Sequence, residues 1–268
     1  MDLELAGKVV LVSGGSGGIG LACAQAFLRE GARVGLVGRR EDRLRTAAAR
    51  LGEGAAVATA AADLSSEAQA VRALEQVEAA LGPVDVLVNC AGAARHTPLE
   101  DLDEAAWRMG MESKYLPVMN MCTVVLRRFR ARHAEDPGNP SCGAIVNVIG
   151  KGGKSPMPTH LPGGAANAAL MLATAGLAQA YGSMGVRINA VNPATIVTQR
   201  MHDRFALAAR GSEHSAQELQ RRAAQAVPLG RFGDPAEVAD VVLFLASPRA
   251  RYVLGASVII DGGLQPVV

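Results

Sequence analysis

The sequence predicts an α/β fold, namely a single-domain, doubly wound parallel sheet of seven strands with helices on both faces. Two observations support this prediction. Short apolar runs alternate with longer segments of helical periodicity along the whole chain. Most of the short runs are apolar at nearly every position, as in parallel strands that are covered on both faces. The 268 residues suffice for one large domain, and no linker or internal repeat divides residues 1–268.

Each predicted strand is a short run rich in β-branched and other apolar residues. In chain order these runs are 8–14, 33–38, 55–61, 84–89, 143–149, 186–192 and 256–261. The predicted helices between them are 19–30, 41–51, 65–81, 102–133, 161–184 and 235–246. Residues 133–143 and 199–225 follow neither pattern. Because ligands of such sheets bind at the carboxyl ends of the strands, the second stretch, after strand six, is predicted to be an irregular substrate lid.

Composition and charge exclude several classes of function. The formal net charge is +2 and the charged residues are dispersed, so we expect no nucleic-acid partner. The four cysteines form no C-x-x-C pair, which predicts buried thiols in a reducing compartment and no metal site. The chain begins without a basic leader, and no apolar run reaches the roughly 20 residues of a membrane span. We therefore expect a soluble, cytoplasmic protein with no membrane contact.

The clearest motif is the glycine-rich segment SGGSGGIG, which directly follows the first predicted strand. Glycines let the backbone approach a pyrophosphate closely, and the N-terminus of the following helix offers unpaired N–H groups to it. The spacing G-x-x-x-G-x-G differs from the narrower G-x-G-x-x-G dinucleotide fingerprint. The residues predicted to bind the cofactor phosphates here are Ser13, Gly14, Ser16, Gly18, Ile19 and Gly20.

Together with this motif, several further segments resemble the classical short-chain dehydrogenases/reductases over essentially the whole chain. They are DLS at 63–65, NCAG at 89–92, NPATIVT at 192–198, and PLGRFGDPAEVADVVLFLAS followed by IIDGG. The resemblance implies a Rossmann-type fold and a nicotinamide cofactor. It further implies contacts of Asp63 and Leu64 with the adenine, of Asn89, Ala91 and Gly92 with the ribose, and of Pro193, Ile196 and Thr198 with the nicotinamide carboxamide.

The residues after the second predicted strand favour NADP(H) over NAD(H). An NAD site carries an acidic residue there, whereas this chain has Gly38, Arg39 and Arg40. An arginine pairs bidentately with a phosphate such as the additional one of NADP(H). The alternative is a solvated arginine pair that Glu41 and Asp42 neutralise.

The positions that carry the catalytic residues of the family are changed in this chain. In the family a tyrosine donates the proton, a lysine four residues later lowers the tyrosine pKa and holds the ribose, and a serine and an asparagine assist. The alignment places Gly163 at the tyrosine, Asn167 at the lysine, Gly150 at the serine and Lys114 at the asparagine. Asn167 is still expected to hydrogen-bond a ribose hydroxyl. The two glycines vacate a volume that a bulkier ligand, a water or another side chain could fill.

A shifted alignment does not restore the tyrosine motif. The tyrosines are Tyr115, Tyr181 and Tyr252, and the residues four positions later are Met119, Gly185 and Ala256. The chain therefore contains no Y-x-x-x-K, and the usual mechanism of the family is not available to it.

Three residues are candidate replacements for the missing acid. Lys114 lies at the former asparagine, and a partly desolvated lysine titrates low enough for acid–base work. His160 precedes Gly163 on the loop entering the site, and histidine is the usual proton carrier near neutral pH. Lys151, in GKGGKS, either holds an anionic substrate or belongs to a solvated loop. The plainer alternatives are an ion-paired lysine and a surface or capping histidine. Arg95 and His96 are weaker candidates for contact with a substrate.

Three functions remain open at this point. The chain is an NAD(P)(H)-binding oxidoreductase with a non-standard proton donor, a non-redox lyase or isomerase of the same fold, or a catalytically silent cofactor-binding subunit or sensor. The retained NPATIVT motif favours the first. The family assembles through the helices that correspond to 102–133 and 161–184, so we expect a homo-oligomer, either a dimer or a tetramer. The sequence names no substrate.

Overall fold

The sheet has seven parallel strands in the computed structural model, which describes residues 1–52, 54–92, 96–139 and 141–265. The strands are β1 (Val9–Ser13), β2 (Arg33–Gly38), β3 (Val57–Ala61), β4 (Val86–Asn89), β5 (Gly143–Val148), β6 (Val186–Pro193) and β7 (Ser257–Ile260). Their order is β3-β2-β1-β4-β5-β6-β7. The order reverses between β1 and β4, which opens a crevice at the carboxyl ends of these two strands. The predicted fold class is confirmed.

Nine α-helices accompany the strands in the described ranges. They are α1 (Gly18–Arg29), α2 (Glu41–Arg50), α3 (Glu67–Leu81), α4 (Glu104–Gly110), α5 (Leu116–Glu135), α6 (Leu161–Tyr181), α7 (Gln199–Ala209), α8 (Ala216–Gln225) and α9 (Pro235–Ala246). Several begin where a side-chain oxygen accepts an N–H group that the first turn leaves unpaired. Ser66 caps α3 and Asp103 caps α4, while Asp234 and Glu237 form a capping box at α9.

Two apolar cores lie on opposite faces of the sheet, because successive residues of a strand point to opposite sides. On β1, Val9 and Leu11 belong to one core and Val10 and Val12 to the other. The first core includes buried residues of α3, α5 and α6, and the second includes buried residues of α1, α2 and α9. The helices on both faces therefore leave the carboxyl edge of the sheet as the place for a ligand.

One prediction for the helices holds except at a π-helical turn, and one was wrong. The predicted helix 102–133 is divided into α4, a π-helical turn Met111–Tyr115, and α5. Pro117 has no N–H to donate to the carbonyl four residues earlier, which explains a break in the regular helix at this point. Residues 199–225, predicted to be irregular, form α7 and α8. Met201 and Phe205 are buried one helical turn apart, so α7 has an apolar face that favours a helix.

Helix α6 is the most apolar long segment of the fold. Together with the preceding turn, Pro158–Met184 is long and apolar enough to cross a bilayer by length and composition alone, contrary to the expectation that no apolar segment reaches this length. One face of α6 nevertheless buries Leu170, Thr174 and Ala178, and Leu170 and Ala178 belong to the core beside the sheet. A core helix of an α/β fold has this same apolar composition, so the segment is a helix packed against the sheet.

Candidate active site

The glycine-rich loop lies across the carboxyl ends of β1 and β4 with almost no free space. A Cβ on Gly20 would lie 2.4 Å from the carbonyl oxygen of Gly14. Gly14 itself has a φ of +70°, and a Cβ there would lie 2.8 Å from the backbone N of Ala91. At the start of α1, Gly17 has no side chain to cap the helix. The N–H groups of the first turn therefore remain available to an anion, as the glycine-rich motif predicts.

A chain of buried hydrogen bonds ties this loop to the middle of the sheet. The Ser13 hydroxyl donates to Asn89 Oδ1 (3.1 Å), and Asn89 Nδ2 donates to Asn147 Oδ1 (2.9 Å). Asn147 Nδ2 donates in turn to Thr174 Oγ1 on α6 (3.0 Å), and the Ala91 N–H donates to Ser13 Oγ (3.2 Å). Each of these buried polar groups thus has a hydrogen-bond partner within the protein. Through these bonds, Ser13 and Asn89 hold β1, β4 and β5 in register below the crevice.

At the predicted adenine end, the residues differ in whether their polar groups already have a hydrogen-bond or ion-pair partner. The Ser65 backbone N–H and hydroxyl both donate to Asp63 Oδ1, and these bonds hold the pKa of the Asp63 carboxyl below its usual range. The positive charge of Arg39 acts in the same direction. Arg40 instead pairs with Asp42 through two N–H groups, at 3.2 and 2.6 Å. Leu64 is buried, and its carbonyl accepts from Asn120.

At the predicted nicotinamide end, the residues after β6 lie against the glycine-rich segment. Ile196 is buried and forms an isolated bridge with Gly233. The Thr198 hydroxyl caps α7, and the methyl group of Thr198 lies 3.3 Å from the position that a Cβ on Gly18 would take. The structure therefore brings Gly18 and Thr198 together from distant parts of the chain. Ser16 and Ile19 on the loop are half-buried, as are Ala91 and Gly92 after β4, and Pro193 is buried at the end of β6.

At the chemistry end, glycines bring the loop after β5 directly onto α6. Gly150 has φ +124° and ψ 152°, a conformation that is essentially restricted to glycine. A Cβ on Gly152 would lie 3.2 Å from Asn167 Nδ2, and a Cβ on Gly153 would lie 2.8 Å from the backbone N of Ala168. Gly150 is likewise next to the Asn167 amide, 3.5 Å from its Cβ position. The Asn167 side chain thus lies beside the volume that a serine at Gly150 would enter.

Asn167 has an unused acceptor. The residue is 5% exposed, and Asn167 Oδ1 has no hydrogen-bond partner among the described residues. A buried acceptor without a donor is costly, so a bound group that supplies an O–H would stabilise it. A ribose hydroxyl is such a donor. Both this orphaned oxygen and the tight glycine-rich loop fit a dinucleotide.

Lys114 is the buried cation of the site. It lies on the π-helical turn, is 8% exposed, and its Nζ donates to the Val148 carbonyl at the end of β5 (3.3 Å). Desolvation lowers the pKa of Lys114 to about 8, the charge of Arg200 adds to this effect, and Cys90 opposes it. Lys114 makes no ion pair with any described residue. It is therefore able to lose a proton near neutral pH.

The other two candidate acids lie at the mouth of the site. The ring centroids of His96 and His160 are 5.0 Å apart, and His96 Nδ1 lies 3.2 Å from Thr159 Oγ1. Burial lowers the pKa of His96, and Arg204 lowers it further. Burial also lowers the pKa of the half-buried Lys151. Arg95 lies outside the described residues.

Three arginines of the site were missed by the sequence analysis. Arg43 on α2 reaches the glycine-rich loop, with a guanidinium nitrogen 3.7 Å from the Cβ position of Gly17. Arg200 and Arg204 lie one turn apart on α7 and keep more than a third of their surface exposed. Desolvation nevertheless lowers the pKa of both, as expected for side chains on the wall of a cleft. The sequence signal for Arg200 and Arg204 was the arginine-rich composition of residues 199–225.

Comparison with known proteins gives one matching family model, described as enoyl-(acyl carrier protein) reductase, over residues 14–265. The 2-(S)-hydroxypropyl-CoM dehydrogenase 3 of Xanthobacter autotrophicus is 35% identical over 268 residues, which is 100% of both chains. The D-threitol dehydrogenase of Mycolicibacterium smegmatis is 33% identical over 98% of this chain and 94% of its own length.

Solved structures agree with this chain over nearly its whole length. L-sorbose reductase from Gluconobacter frateurii, complexed with NADPH and L-sorbose, superposes with a TM-score of 0.91 at 29% identity, covering 100% of both chains. An NADPH-bound short chain oxidoreductase from Pseudomonas aeruginosa PAO1, described as containing an atypical catalytic center, has a TM-score of 0.85 at 30% identity. It covers 97% of this chain and 98% of its own.

Proposed function

The chain belongs to the short-chain dehydrogenase/reductase family, and from this premise we propose that it is an NADP(H)-dependent oxidoreductase of a carbonyl or alcohol substrate in which Lys114 is the proton donor. One observation carries the proposal. A buried lysine with a pKa of about 8 and no ion-pair partner among the described residues lies at the carboxyl ends of β4 and β5. This is the end of the sheet where the family performs its chemistry.

The charges beside the crevice support NADP(H) rather than NAD(H). Arg39 is exposed and makes no ion pair with a described residue, and Arg43 lies against the glycine-rich loop. Arg40, in contrast, already forms an ion pair with Asp42. The arginines that we assign to the additional phosphate of NADP(H) are therefore Arg39 and Arg43. An unpaired guanidinium at this position suits a 2′-phosphate. Solved relatives named above hold NADPH.

The cofactor residues divide by role. The loop from Ser13 to Gly20 holds the pyrophosphate, Asn167 Oδ1 accepts from a ribose hydroxyl, and Thr198 and Ile196 position the nicotinamide. When bound, NADP(H) supplies or accepts the hydride. Asp63, Leu64, Asn89, Ala91, Gly92 and Pro193 form the remaining wall of the cofactor site.

Lys114 performs the proton transfer in this proposal. With a pKa of about 8 the ammonium is mostly protonated at pH 7, and after donating to the developing alkoxide the neutral amine is favoured by burial. Between catalytic cycles, the Val148 carbonyl accepts a hydrogen bond from the Lys114 ammonium and holds it in place. Gly163 and Gly150 replace the tyrosine and serine of the family, and the atypical catalytic center reported for the Pseudomonas aeruginosa relative is a precedent for such a departure.

The remaining features of the proposal follow the family. The protein is a cytoplasmic homo-oligomer assembled through α5 and α6, where Leu172 is 78% exposed and offers an apolar contact to a second copy. A monomeric mass by light scattering at micromolar concentration would reject the oligomer. The α7–α8 segment is the substrate lid. One domain, 1–268, carries all of these functions.

The test is a stopped-flow assay of NADPH oxidation with a panel of ketones, using wild type and Lys114→Gln. We expect NADPH binding in both proteins, and a loss of about 10²–10³-fold in the hydride-transfer rate for the variant. In the wild type the rate of reduction should fall as the pH rises through about 8, because the proton-carrying form of Lys114 is lost.

Two outcomes contradict the proposal in different ways. Turnover that is unchanged in Lys114→Gln removes Lys114 from the mechanism and directs attention to His160 and Lys151. Stoichiometric NADPH binding without turnover on any ketone or alcohol would identify a catalytically silent subunit, and substrate conversion without nicotinamide oxidation would identify a lyase or isomerase. Arg50→Gln, at an exposed position in the last turn of α2, is the control for a general effect of substitution.

A further inference from the structure

The side chain of Asn167 has a second polar atom that the cofactor assignment does not use. Asn167 is 5% exposed, and its Oδ1 is assigned above to a ribose hydroxyl. Asn167 Nδ2 makes no hydrogen bond with a residue in the described parts of the chain either. A buried donor without an acceptor costs free energy, as does a buried acceptor without a donor. A ligand that satisfies only Oδ1 therefore leaves the donor of the same amide unused.

Other buried asparagines of the sheet show what an amide with a structural role looks like in this fold. Asn89 uses both its oxygen and its nitrogen in the chain of hydrogen bonds below the crevice. Asn189 Nδ2 donates to the Val253 carbonyl, and its Oδ1 accepts from the Ala256 N–H, both at 2.9 Å. Each of these amides therefore has protein partners on both sides. Asn167 is equally enclosed but has neither, which points to partners outside the protein.

The space next to Asn167 Nδ2 is left open by Gly150. The Cβ position of Gly150 lies 3.5 Å from Asn167 Nδ2 and 3.9 Å from the Pro193 carbonyl oxygen. These are ordinary van der Waals distances, so one additional heavy atom fits there. Later in the same loop, the Cβ positions of Gly152 and Gly153 lie 3.2 Å and 2.8 Å from their nearest neighbours, which leaves less room. The open position thus lies between the unused donor and the end of β6.

The chemistry of the amide nitrogen selects the atom that this space suits. Asn167 Nδ2 carries two N–H groups and accepts no hydrogen bond, so it requires an acceptor such as oxygen. A carbonyl oxygen is such an acceptor. An alkoxide is a stronger one, because a hydrogen bond to an ionised group is about twice as strong as one between neutral groups. A donor held at this position would therefore bind an oxygen more tightly as negative charge develops on it.

The proton donor of the proposed reaction lies at the same end of the sheet. Lys114 Nζ donates to the Val148 carbonyl, and Val148 precedes Gly150 by two residues, which span about 7 Å at most. The stem of Lys114 packs on Gly92, whose Cβ position lies 3.0 Å from Lys114 Cδ. Lys114 and Asn167 are both buried, so their donors act in a medium of low dielectric where hydrogen bonds are strong.

We propose that Asn167 is a catalytic residue whose Nδ2 donates a hydrogen bond to the reacting oxygen of the substrate while its Oδ1 accepts from the ribose of the cofactor. This inference rests on the proposed oxidoreductase function and adds a residue to it. In reduction, the hydride reaches the carbonyl carbon with its electron pair, and the π electrons of the C=O bond move to the oxygen. Lys114 Nζ then gives the proton that completes the alcohol. Asn167 transfers no proton, and it stabilises the charge on the oxygen until the proton arrives.

The test uses variants of the full chain that remove one or both functions of the amide. Asn167→Asp keeps an acceptor for the ribose and removes the N–H donors, whereas Asn167→Leu has a similar shape and removes both functions. Gln25→Glu and Gln25→Leu make the same two changes at an exposed amide on α1 and serve as matched controls. Fluorescence titration measures NADPH affinity. Stopped-flow NADPH oxidation at saturating NADPH measures hydride transfer with acetoin, cyclohexanone, dihydroxyacetone and ethyl acetoacetate.

We expect hydride transfer to fall by about 10²–10³-fold in both Asn167 variants, as when one donor to an oxyanion is lost. The kcat and kcat/KM for the ketone should fall by the same factor, because the hydrogen bond strengthens only as charge develops. NADPH affinity should fall by about 10-fold in Asn167→Leu and by less than about 3-fold in Asn167→Asp. Both Gln25 variants should match wild type.

Thermal melting checks that the variants fold. Asn167→Leu should melt at or above the wild-type temperature, because it removes a buried amide that has no protein partner. If one of the two Asn167 variants does not fold, the hydride-transfer rate of the other decides.

The outcomes separate this inference from the proposed function. If wild type reduces a ketone and both Asn167 variants keep its hydride-transfer rate, the inference is overturned and the oxidoreductase proposal stands. A loss in Asn167→Leu alone overturns it as well, because the acceptor for the ribose would then suffice. A higher KM for the ketone with an unchanged kcat would make Asn167 a binding residue and reject its catalytic role. Absence of turnover by wild type on any ketone or alcohol rejects the oxidoreductase proposal itself, and this inference with it.

Discussion

The cofactor end and the chemistry end of this site both depend on glycine, but in different ways. In the loop after β1 and the first turn of α1, glycines allow close backbone contacts that a side chain would prevent, as at Gly14 and Gly20. In the loop after β5, Gly150 adopts a conformation that other residues avoid, and Gly152 and Gly153 press the loop onto α6. The first set brings the loop against α1 and the residues after β4, whereas the second brings the loop after β5 against α6.

The comparison teaches that the two ends of the crevice differ in how they are tied to the core of the fold. The cofactor end is tied into the core by the Ser13, Asn89 and Asn147 hydrogen bonds, so a change there also costs stability. The chemistry end is built on a surface loop and on one buried lysine. Substitutions in such loops are tolerated, and this is where functional differences accumulate.

The largest effect is expected from Gly20→Ala at the cofactor end. Its Cβ would lie 2.4 Å from the Gly14 carbonyl oxygen, so the loop or α1 must move. We expect the free energy of unfolding to fall by about 3 kcal/mol. NADPH binding should fall by about 100-fold or more, because the backbone no longer approaches the pyrophosphate. Urea denaturation and NADPH fluorescence titration measure the two effects.

Gly176→Ala is the matched control for that prediction. Gly176 lies within α6, and a Cβ there would meet no heavy atom within 4 Å. Because alanine favours the helix, we expect the free energy of unfolding to rise by about 0.5–1 kcal/mol, with NADPH affinity unchanged. A loss of stability equal to that of Gly20→Ala would show that the close contact in the loop is not the cause.

The next largest effect is expected from Lys114→Met at the chemistry end. Here the free energy of unfolding should rise, whereas in Gly20→Ala it should fall. The pKa of Lys114 in the folded protein, about 8, lies below its ordinary value of 10.5. The unfolded chain therefore binds more protons between these two values, and stability rises with pH across this window. At pH 7 the buried charge is destabilising, so removing it should raise the free energy of unfolding by about 2 kcal/mol.

Urea denaturation of wild type and Lys114→Met at pH 7, 9 and about 10.5 measures this difference. The gain from the substitution should shrink as the pH rises, because the wild-type amine becomes neutral in the folded protein. The same variant should lose turnover, as in the Lys114→Gln test. A variant that is less stable than wild type at pH 7 would mean that Lys114 has a stabilising partner and is not poised for proton transfer.

The smallest effect separates the two arginines after β2. Arg39→Gln should weaken NADPH binding by about 10-fold and leave NADH binding unchanged, because only NADPH carries the additional phosphate. Arg40→Gln should change either affinity by less than about 2-fold, since Asp42 already pairs with this guanidinium. Fluorescence titration with both cofactors measures the ratio. Equal effects of the two substitutions would contradict the assignment of the additional phosphate to Arg39 in preference to Arg40.

Much of the sheet and the glycine-rich turn after β1 could be predicted from the sequence because their signals are local. The glycine spacing and the position after a strand are contiguous in the chain, and apolar runs mark all seven strands. The departures from prediction concern residues whose structure depends on distant contacts or on a single proline. The helix 102–133 is interrupted at the π-helical turn before α5, and α7 forms where Met201 and Phe205 find a core.

The sequence by itself determined the fold class, the family and the absence of a Y-x-x-x-K motif, since these depend on residue order alone. Only the tertiary structure decided which charges are neutralised and which are not. It pairs Arg40 with Asp42, leaves Asn167 Oδ1 without a donor among the described residues, and buries Lys114 beside the Val148 carbonyl. The reason is physical: a pKa and a hydrogen-bond partner depend on the atoms that surround a group in space, and folding brings most of these atoms from distant parts of the chain.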